Sequence, residues 1–580
     1  MKSKRGNRHP ARAGIRGALV LLPLLVVACG DDENGSTTGG TAGTTGSGGS
    51  AGTTSSGGSA GTGGSAGTGG SAGASGAGTS GSGGAGGAGS GGTGGAAGST
   101  GKSGSGGGGG SAGSGTGGTA GGRDAAADTG GSAGSAGGDG GPSGDAGSGP
   151  PPQIVVLSPT GHDRFFGVAH DAAGNIFATG VMASTTESSA DYATVLVKFL
   201  PSGAKDPSFG TDGVVTYNAA VGAGGELARG IVVQSSGKIV VSATVEHAGG
   251  DPRDRDVAVM RFTAQGVLDT TFGTAGVRIL DLSSGEVTVD GGTGDGGTTI
   301  VAESTWGLSG FPNDDLVVLG SRKADGRNDT DFAIVKLKAD GATDTTFATN
   351  GIFTLDISNA SASPRTATVL PDGSVVGSGY MNNAGVQMPV IWKLTPAGVL
   401  DTTFGVNGVF SQAVLAAATE AYGAALQGTS FVTAGYGRAN TSESLDFVSI
   451  RLSAAGVLDT TYGTNGVTRI DVAGFADNSR GLTVLPDNRV LMLGGGRPTS
   501  ADVDAMVAVL TPDGKPDTSF GPNGFRLYNL GGNNDFFWGA SVAPDKKSVA
   551  IAGIKSGSPA GDAAPPANDD AALLILPLVP

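Results

Sequence analysis

Leu268-Asp269-Thr270-Thr271-Phe272-Gly273 decides how this chain is read, because the pattern returns. It stands again at Asp206-Pro207-Ser208-Phe209-Gly210, Asp344-Thr345-Thr346-Phe347, Asp401-Thr402-Thr403-Phe404-Gly405, Asp459-Thr460-Thr461-Tyr462-Gly463 and Asp517-Thr518-Ser519-Phe520-Gly521. Its aspartates follow one another at intervals of 57 to 75 residues. Self-similarity at such a period marks a repeat architecture, in which each unit buries its apolar face against the next.

Upstream of Asp269 the sequence alternates with period two between turn residues. Gly230-Ile231-Val232-Val233-Gln234 is followed by the turn Ser235-Ser236-Gly237, then by Lys238-Ile239-Val240-Val241, then by the run Asp256 to Phe262. Val277 to Leu282 follows the motif. Four short antiparallel strands are therefore expected in each unit, which describes a propeller blade. The expected fold is all-β, a seven-bladed β-propeller over residues 153–580, with a β-solenoid as the alternative. A seventh unit, with its turn at Pro544-Asp545-Lys546, lacks the motif and runs out after a third strand at Leu573 to Val579. Ile154-Val155-Val156-Leu157 is the candidate for its missing fourth strand, which would close the ring and remove an open sheet edge. These units resemble the delta-60 repeat family across essentially all of 153–580; the resemblance implies propeller-like repeats and supplies no activity.

The motif itself reads as structure. Asp269 can accept backbone N–H bonds in an Asx turn, Thr271 can close a second, Phe272 can fill the gap between blades, and Gly273 can take a positive φ.

The rest of the chain is different in kind. It holds 114 Gly in 580 residues, and residues 30–152 carry most of them with Ser, Thr and Ala, so that segment has no apolar side chains with which to offset backbone entropy. Residues 29–152 are read as a disordered linker with a root-mean-square reach of roughly 60 Å. Residues 1–28 read as a secretory signal, with basic Lys2, Lys4, Arg5, Arg8, Arg12 and Arg16 ahead of an apolar run from Ala18 to Ala28. That run ends Val26-Val27-Ala28-Cys29-Gly30, which resembles the bacterial lipobox. The resemblance implies cleavage before Cys29, acylation of its thiol and a place in the cell envelope, at the outer membrane of a Gram-negative bacterium. Cys29 is the one cysteine of the chain, so no intramolecular disulfide can form.

A net charge of −15 argues against nucleic acid as a partner, and a monomer is expected. No nucleophile elbow, Walker loop or zinc motif occurs. Of four histidines, His9 lies in the signal, and His162, His170 and His247 have no metal-ligand spacing. Neither a cofactor nor a catalytic residue is assigned. Asp325 to Asp331 and Asp251 to Asp256 gather oxygens but do not match a calcium loop, and are read as solvated acidic loops with no metal.

Alignment of the units on their first strand brings one position forward. It reads Phe166, Arg229, Trp306, Arg365, Tyr422, Arg480 and Trp538, with an acid three residues earlier in five units: Asp163, Glu226, Glu303, Asp477 and Asp535. In a propeller these side chains would gather at the upper mouth of the channel. Two readings stand open: anchors of a binding surface, or blade-locking contacts in which rings pack between blades and acids pair with arginines. The functional expectation is a lipid-anchored, non-enzymatic binding or scaffolding module for a glycan, peptide or envelope-protein ligand; the alternative is a carboxylate-dependent glycan hydrolase or lyase on the same face.

Overall fold

The computed structural model describes residues 151–157, 162–183, 192–219, 226–247, 255–283, 303–323, 329–357, 362–556 and 569–578. The readings placed on residues 1–150, Cys29 among them, and on 248–254 and 324–328 fall outside these residues.

Runs of β-branched residues cut by turns make each sheet. In the second unit Leu227–Val233, Ile239–Glu246, Arg255–Phe262 and Val277–Leu280 pair antiparallel in chain order. The described strands form six sheets, five of four strands and one of nine. The nine-stranded sheet joins the fourth and fifth units, because the short strand Ala418–Thr419 pairs in parallel with Val386–Leu394 and antiparallel with Ser430–Arg438. The chain is a β-propeller. Its inner strands, Asp163–His170, Leu227–Val233, Ser304–Gly310, Ala362–Val369, Gly423–Gln427, Asn478–Val484 and Phe536–Val542, each pack on the next, and the last packs on the first.

The ends meet as the alternation suggested. Gln153–Leu157 pairs antiparallel with Asp569–Pro577, with Ile154 opposite Leu574 and Leu157 opposite Ala571. The partner strand starts at Asp569 rather than Leu573, because two acids that look like loop residues are structural. Asp569 is buried and receives Arg164 of the first unit at 2.6 Å, and Asp570 pairs with Lys555 at 3.2 Å. The fourth strand of the second unit ends at Leu280, two residues short of the expected Leu282.

Apolar side chains fill the spaces between neighbouring sheets. Phe272 is fully buried among Val240 and Val257 of its own unit and Leu308, Leu316 and Leu337 of the next. The inner strands approach too closely for a side chain at some positions: a Cβ on Gly230 would lie 2.5 Å from Leu308 Cβ in the neighbouring unit.

Candidate functional site

The repeated motif is consumed by structure. Asp269 Oδ1 accepts the Thr271 N–H at 3.2 Å and its hydroxyl at 2.7 Å, and Gly273, at φ 53°, donates its N–H to Asp340 O of the next unit at 2.9 Å. The same inter-unit bond leaves Gly210, Ala348, Gly405 and Gly463. Sequence reasoning missed the cation that each motif aspartate holds. Lys198, Arg261, Lys336, Lys393 and Arg451, all one position before the end of a third strand, reach Asp206, Asp269, Asp344, Asp401 and Asp459 at 2.8 or 2.9 Å. In the sixth unit that strand position is Val509, and Arg489 from the first hairpin pairs with Asp517 at 3.0 Å instead. Lys198 on Asp206, the Thr346 hydroxyl on Asp344 and Lys393 on Asp401 are foremost among the contacts that hold those carboxyls at about 2.

The aligned Arg and aromatic positions do come together, as a stacked belt and not as an open mouth. Arg229 lies 4.3 Å from the Trp306 ring centre. Arg365 lies 4.3 Å from Trp306 and 4.3 Å from Tyr422. Arg480 lies 4.6 Å from Tyr422 and 5.2 Å from Trp538, and Trp538 meets Phe166 edge to face at 5.3 Å. Every contact crosses from one blade to its neighbour. Arg480 is half-buried, and the other six are buried. The backbone explains the convergence: Phe166, Arg229, Trp306, Arg365, Arg480 and Trp538 are each the extra residue where the first hairpin's register slips. A bulge twists its strand and re-aims one side chain, here towards the adjoining blade. Tyr422 occupies the break between Ala418–Thr419 and Gly423–Gln427.

Four of the five acids before this position capture backbone. Glu226 accepts from Ala219 N, Glu303 from Leu282 N at 2.7 Å, Asp477 from Val472 N at 2.8 Å and Asp535 from Leu530 N at 2.6 Å. Each donor stands two residues past the outer strand of the preceding blade, so the acid fixes the chain as it crosses back to the centre. The belt's own carboxylate is Glu420, buried 3.9 Å from Arg365; alignment hid it because it sits two residues, not three, before Tyr422. Burial raises Glu303 to about 8, Asp477 to about 7 and Asp535 to about 6, since desolvation disfavours the charged carboxylate.

Two clusters of acids form that sequence reasoning did not assemble. Oxygens of Asp256, Asp281 and Glu303 lie within 4.8 Å of one another, as do those of Asp329, Asp331 and Asp356. His247 Nδ1 is 3.2 Å from Asp256 Oδ1. The other two described histidines stand elsewhere: His162 is buried, and His170, hydrogen-bonded to Ser541 at 2.9 Å, is lowered to about 4 by burial. Beside the first cluster a cavity of ≈180 Å³ opens between the third and fourth blades, lined by Glu303, Trp306 and the hydroxyls of Ser304, Ser321, Thr330 and Ser363. A larger groove of ≈720 Å³ runs between the first blade and the closing strand, lined by Val156, Leu157, Lys205 and Thr211 among others. Among the described residues no helix is long and apolar enough to cross a membrane.

Residues 234–272, 312–347 and 370–404 match the model of a family described as a domain of unknown function (DUF5122), β-propeller. Each matched stretch ends on a motif phenylalanine: Phe272, Phe347 or Phe404. No curated protein matches the chain in sequence. Among solved structures, the chain is similar to Sqt1 of Chaetomium thermophilum, at 13% identity and a TM-score of 0.37 over 73% of this chain and 97% of that one. It is also similar to the β-propeller domain of the Trilobed protease from Pyrococcus furiosus, at 8% identity and a TM-score of 0.34 over 70% and 98%. A Penicillium chrysogenum α-L-arabinanase aligns at 10% identity and a TM-score of 0.33 over 60% and 92%.

Proposed function

We propose that this chain is a lipid-anchored protein of the cell envelope whose β-propeller serves as a binding module for a hydroxyl-rich ligand of the glycan class. The observation that carries the binding reading is the cavity beside Trp306. An indole edge, a carboxyl and four partly exposed hydroxyls converge there, and a few placed polar groups around an aromatic surface are what a small polar ligand needs. The groups are also pre-set: Trp306 Nε1 donates to Ser304 Oγ at 2.6 Å, Ser304 and Ser321 hydroxyls are 2.7 Å apart, and Thr330 donates to Ala362 O at 2.9 Å. The belt supports the site from behind, because Trp306 is clamped between Arg229 and Arg365. Anchoring rests on the basic and apolar run that ends at Cys29.

The test is a glycan and peptide array probed with the full chain and with a Ser321→Ala, Ser363→Ala double variant. Neither serine is in the belt, so the variant should keep its melting temperature while losing glycan binding. Glycan binding that survives the double substitution refutes this location. Labelling with a palmitate analogue tests the anchor: Cys29→Ala should abolish the label, and a variant that still labels refutes it.

A hydrolase or lyase is the second reading, and one observation favours it. Glu303 is held protonated near neutral pH at the edge of the cavity, as a general acid must be. Against an inverting mechanism, the nearby carboxylate oxygens lie within 4.8 Å of one another, too close to admit the water that an inverting pair holds at roughly 6.5–9.5 Å. A turnover assay on any glycan the array identifies separates the two readings, since a binding module returns it intact.

A further inference from the structure

We propose that Asp256, Asp281 and Glu303 form a binding site for one calcium ion, which ties the second blade to the third. The three residues come from three places that only the fold unites. Asp256 is the second residue of the third strand of the second blade, Asp281 follows its outer strand, and Glu303 precedes the inner strand of the third blade. One oxygen from each lies within 4.8 Å of the others. Three carboxylates facing one another, with oxygen donors throughout, suit a hard divalent cation with several oxygen ligands.

A second observation points to a ligand and not merely to crowded acids. Glu303 is 2% exposed. Its Oε2 accepts the Leu282 N–H and the Ser283 hydroxyl also bonds the side chain, but Oε1 is buried with no well-aligned hydrogen bond among the described residues. A buried carboxylate oxygen left without a donor is costly, and a cation shared with Asp256 and Asp281 would satisfy it.

The repeat supplies its own control. Strand pairing sets Phe447 opposite Ile470 in the fifth blade as it sets Val257 opposite Leu280 in the second. Asp446 and Asp471 are therefore the counterparts of Asp256 and Asp281, and Asp477, three residues before Arg480, is the counterpart of Glu303. In the fifth blade that junction already holds a cation: Arg469 reaches Asp446 at 2.8 Å and Glu443 at 2.9 Å. The residue at the place of Arg469 in the second blade is Ile279, which is 43% exposed and brings no charge. The guanidinium that bridges this junction in the fifth blade thus has no counterpart at position 279 of the second, where His247 Nδ1 stands 3.2 Å from Asp256 Oδ1. The proposal does not depend on any glycan being bound.

The experiment measures calcium per chain on the full-length protein, stripped with chelator and dialysed against radioactive calcium, for wild type and Asp281→Asn. Asp281 is exposed, so this change should leave folding intact, and Asp487→Asn, an exposed acid outside the cluster, serves as control. Wild type and Asp487→Asn should bind alike, while Asp281→Asn should lose one equivalent or bind it at least about ten-fold more weakly. Calcium should raise the melting temperature of wild type more than that of Asp281→Asn, because a ligand bound to the native state stabilises it by mass action. Equal calcium content in the three proteins overturns the proposal, and so does a site that fills with magnesium but not with calcium.

Discussion

Replacing Arg365 with alanine should cost the propeller more than any other change in the belt. Arg365 is fully buried. Its guanidinium lies over the rings of Trp306, Tyr422 and Tyr380 at 4.3, 4.3 and 4.8 Å, and 3.9 Å from the buried carboxylate of Glu420. A desolvated cation–π contact contributes about 2 kcal/mol, and removing the cation from a buried charge pair costs about 3–5 kcal/mol. The two effects share one side chain and do not add, so the expected loss is about 3–5 kcal/mol. Arg480 is half-buried and faces Tyr422 and Trp538 at 4.6 and 5.2 Å; its alanine variant should lose about 1 kcal/mol, as exposed cation–π pairs do. Arg365→Lys should recover little, because an ammonium cannot lie flat between two rings. Urea unfolding of the full chain, followed by tryptophan fluorescence and compared at equal slope, reads all three. A loss below about 1 kcal/mol for Arg365→Ala, or equal losses at Arg365 and Arg480, would refute the account of the belt as a blade lock.

Two further predictions follow from the buried acids and the closing strand. Glu303, Asp477 and Asp535 titrate in the folded chain at about 8, 7 and 6 against roughly 4 when unfolded. The folded state therefore holds more protons, and in metal-free buffer stability should fall as pH rises from about 4.5 to about 8. The depressed motif aspartates act in the opposite sense: their contribution is present above about 4 and is lost as pH falls towards about 2. Denaturation midpoints that climb between pH 5 and pH 8 would contradict the first assignment, and Glu303→Gln should flatten the slope. Deleting Gln153–Leu157 removes a ladder to Asp569–Pro577 and the partly buried Val155 and Leu157, for a loss of at least about 2 kcal/mol. Deleting Gly57 to Gly61 from the glycine-rich segment should cost nothing, and equal melting temperatures for the two deletions would remove the closing strand from the account.

The fold was legible because its information is local and repeated. Alternation around Lys238 to Val241, the turn at Ser235 to Gly237 and the returning Asp269 to Gly273 each specify one blade, and six copies average out the noise of any single one. The site was half legible. Alignment found the seven belt positions, because in six units a bulge residue followed by a small one leaves a mark at a fixed place, and Tyr422 before Gly423 keeps that mark without the bulge. It could not show where those side chains point: a bulge turns them into the neighbouring blade, and the alternation of a regular strand gives no hint of that turn. Glu420 was missed for the same reason, one residue out of phase where the fifth inner strand is interrupted. The acid clusters were legible only as separate members, Glu303 among the aligned acids and Asp256, Asp329 and Asp331 in acidic segments. Asp256, Asp281 and Glu303 are far apart in the chain, and only the return of the outer strand to the ring centre brings them together.

That return is also where the blades differ most. The acid before the inner strand has the same task in the second, third, sixth and seventh blades, catching the N–H two residues beyond the preceding outer strand. Such a crossing leaves the outer sheet and has no ladder of its own, so a carboxylate must stand in for one. Burying that carboxylate carries a desolvation penalty, and the blades offset it differently. The first blade supplies the Thr194 hydroxyl to Glu226 at 2.7 Å. The seventh gives Asp535 further N–H donors from Gly532 and Ser556 at 3.3 and 3.2 Å. The sixth places Asp477 beside Asp446, which Arg469 neutralises. At Glu303 a second and a third acid are added, and the position of Arg469 is taken by the uncharged Ile279. One backbone problem solved with donors or arginine elsewhere, and with extra negative charge here, is the pattern that the proposed calcium ion would balance.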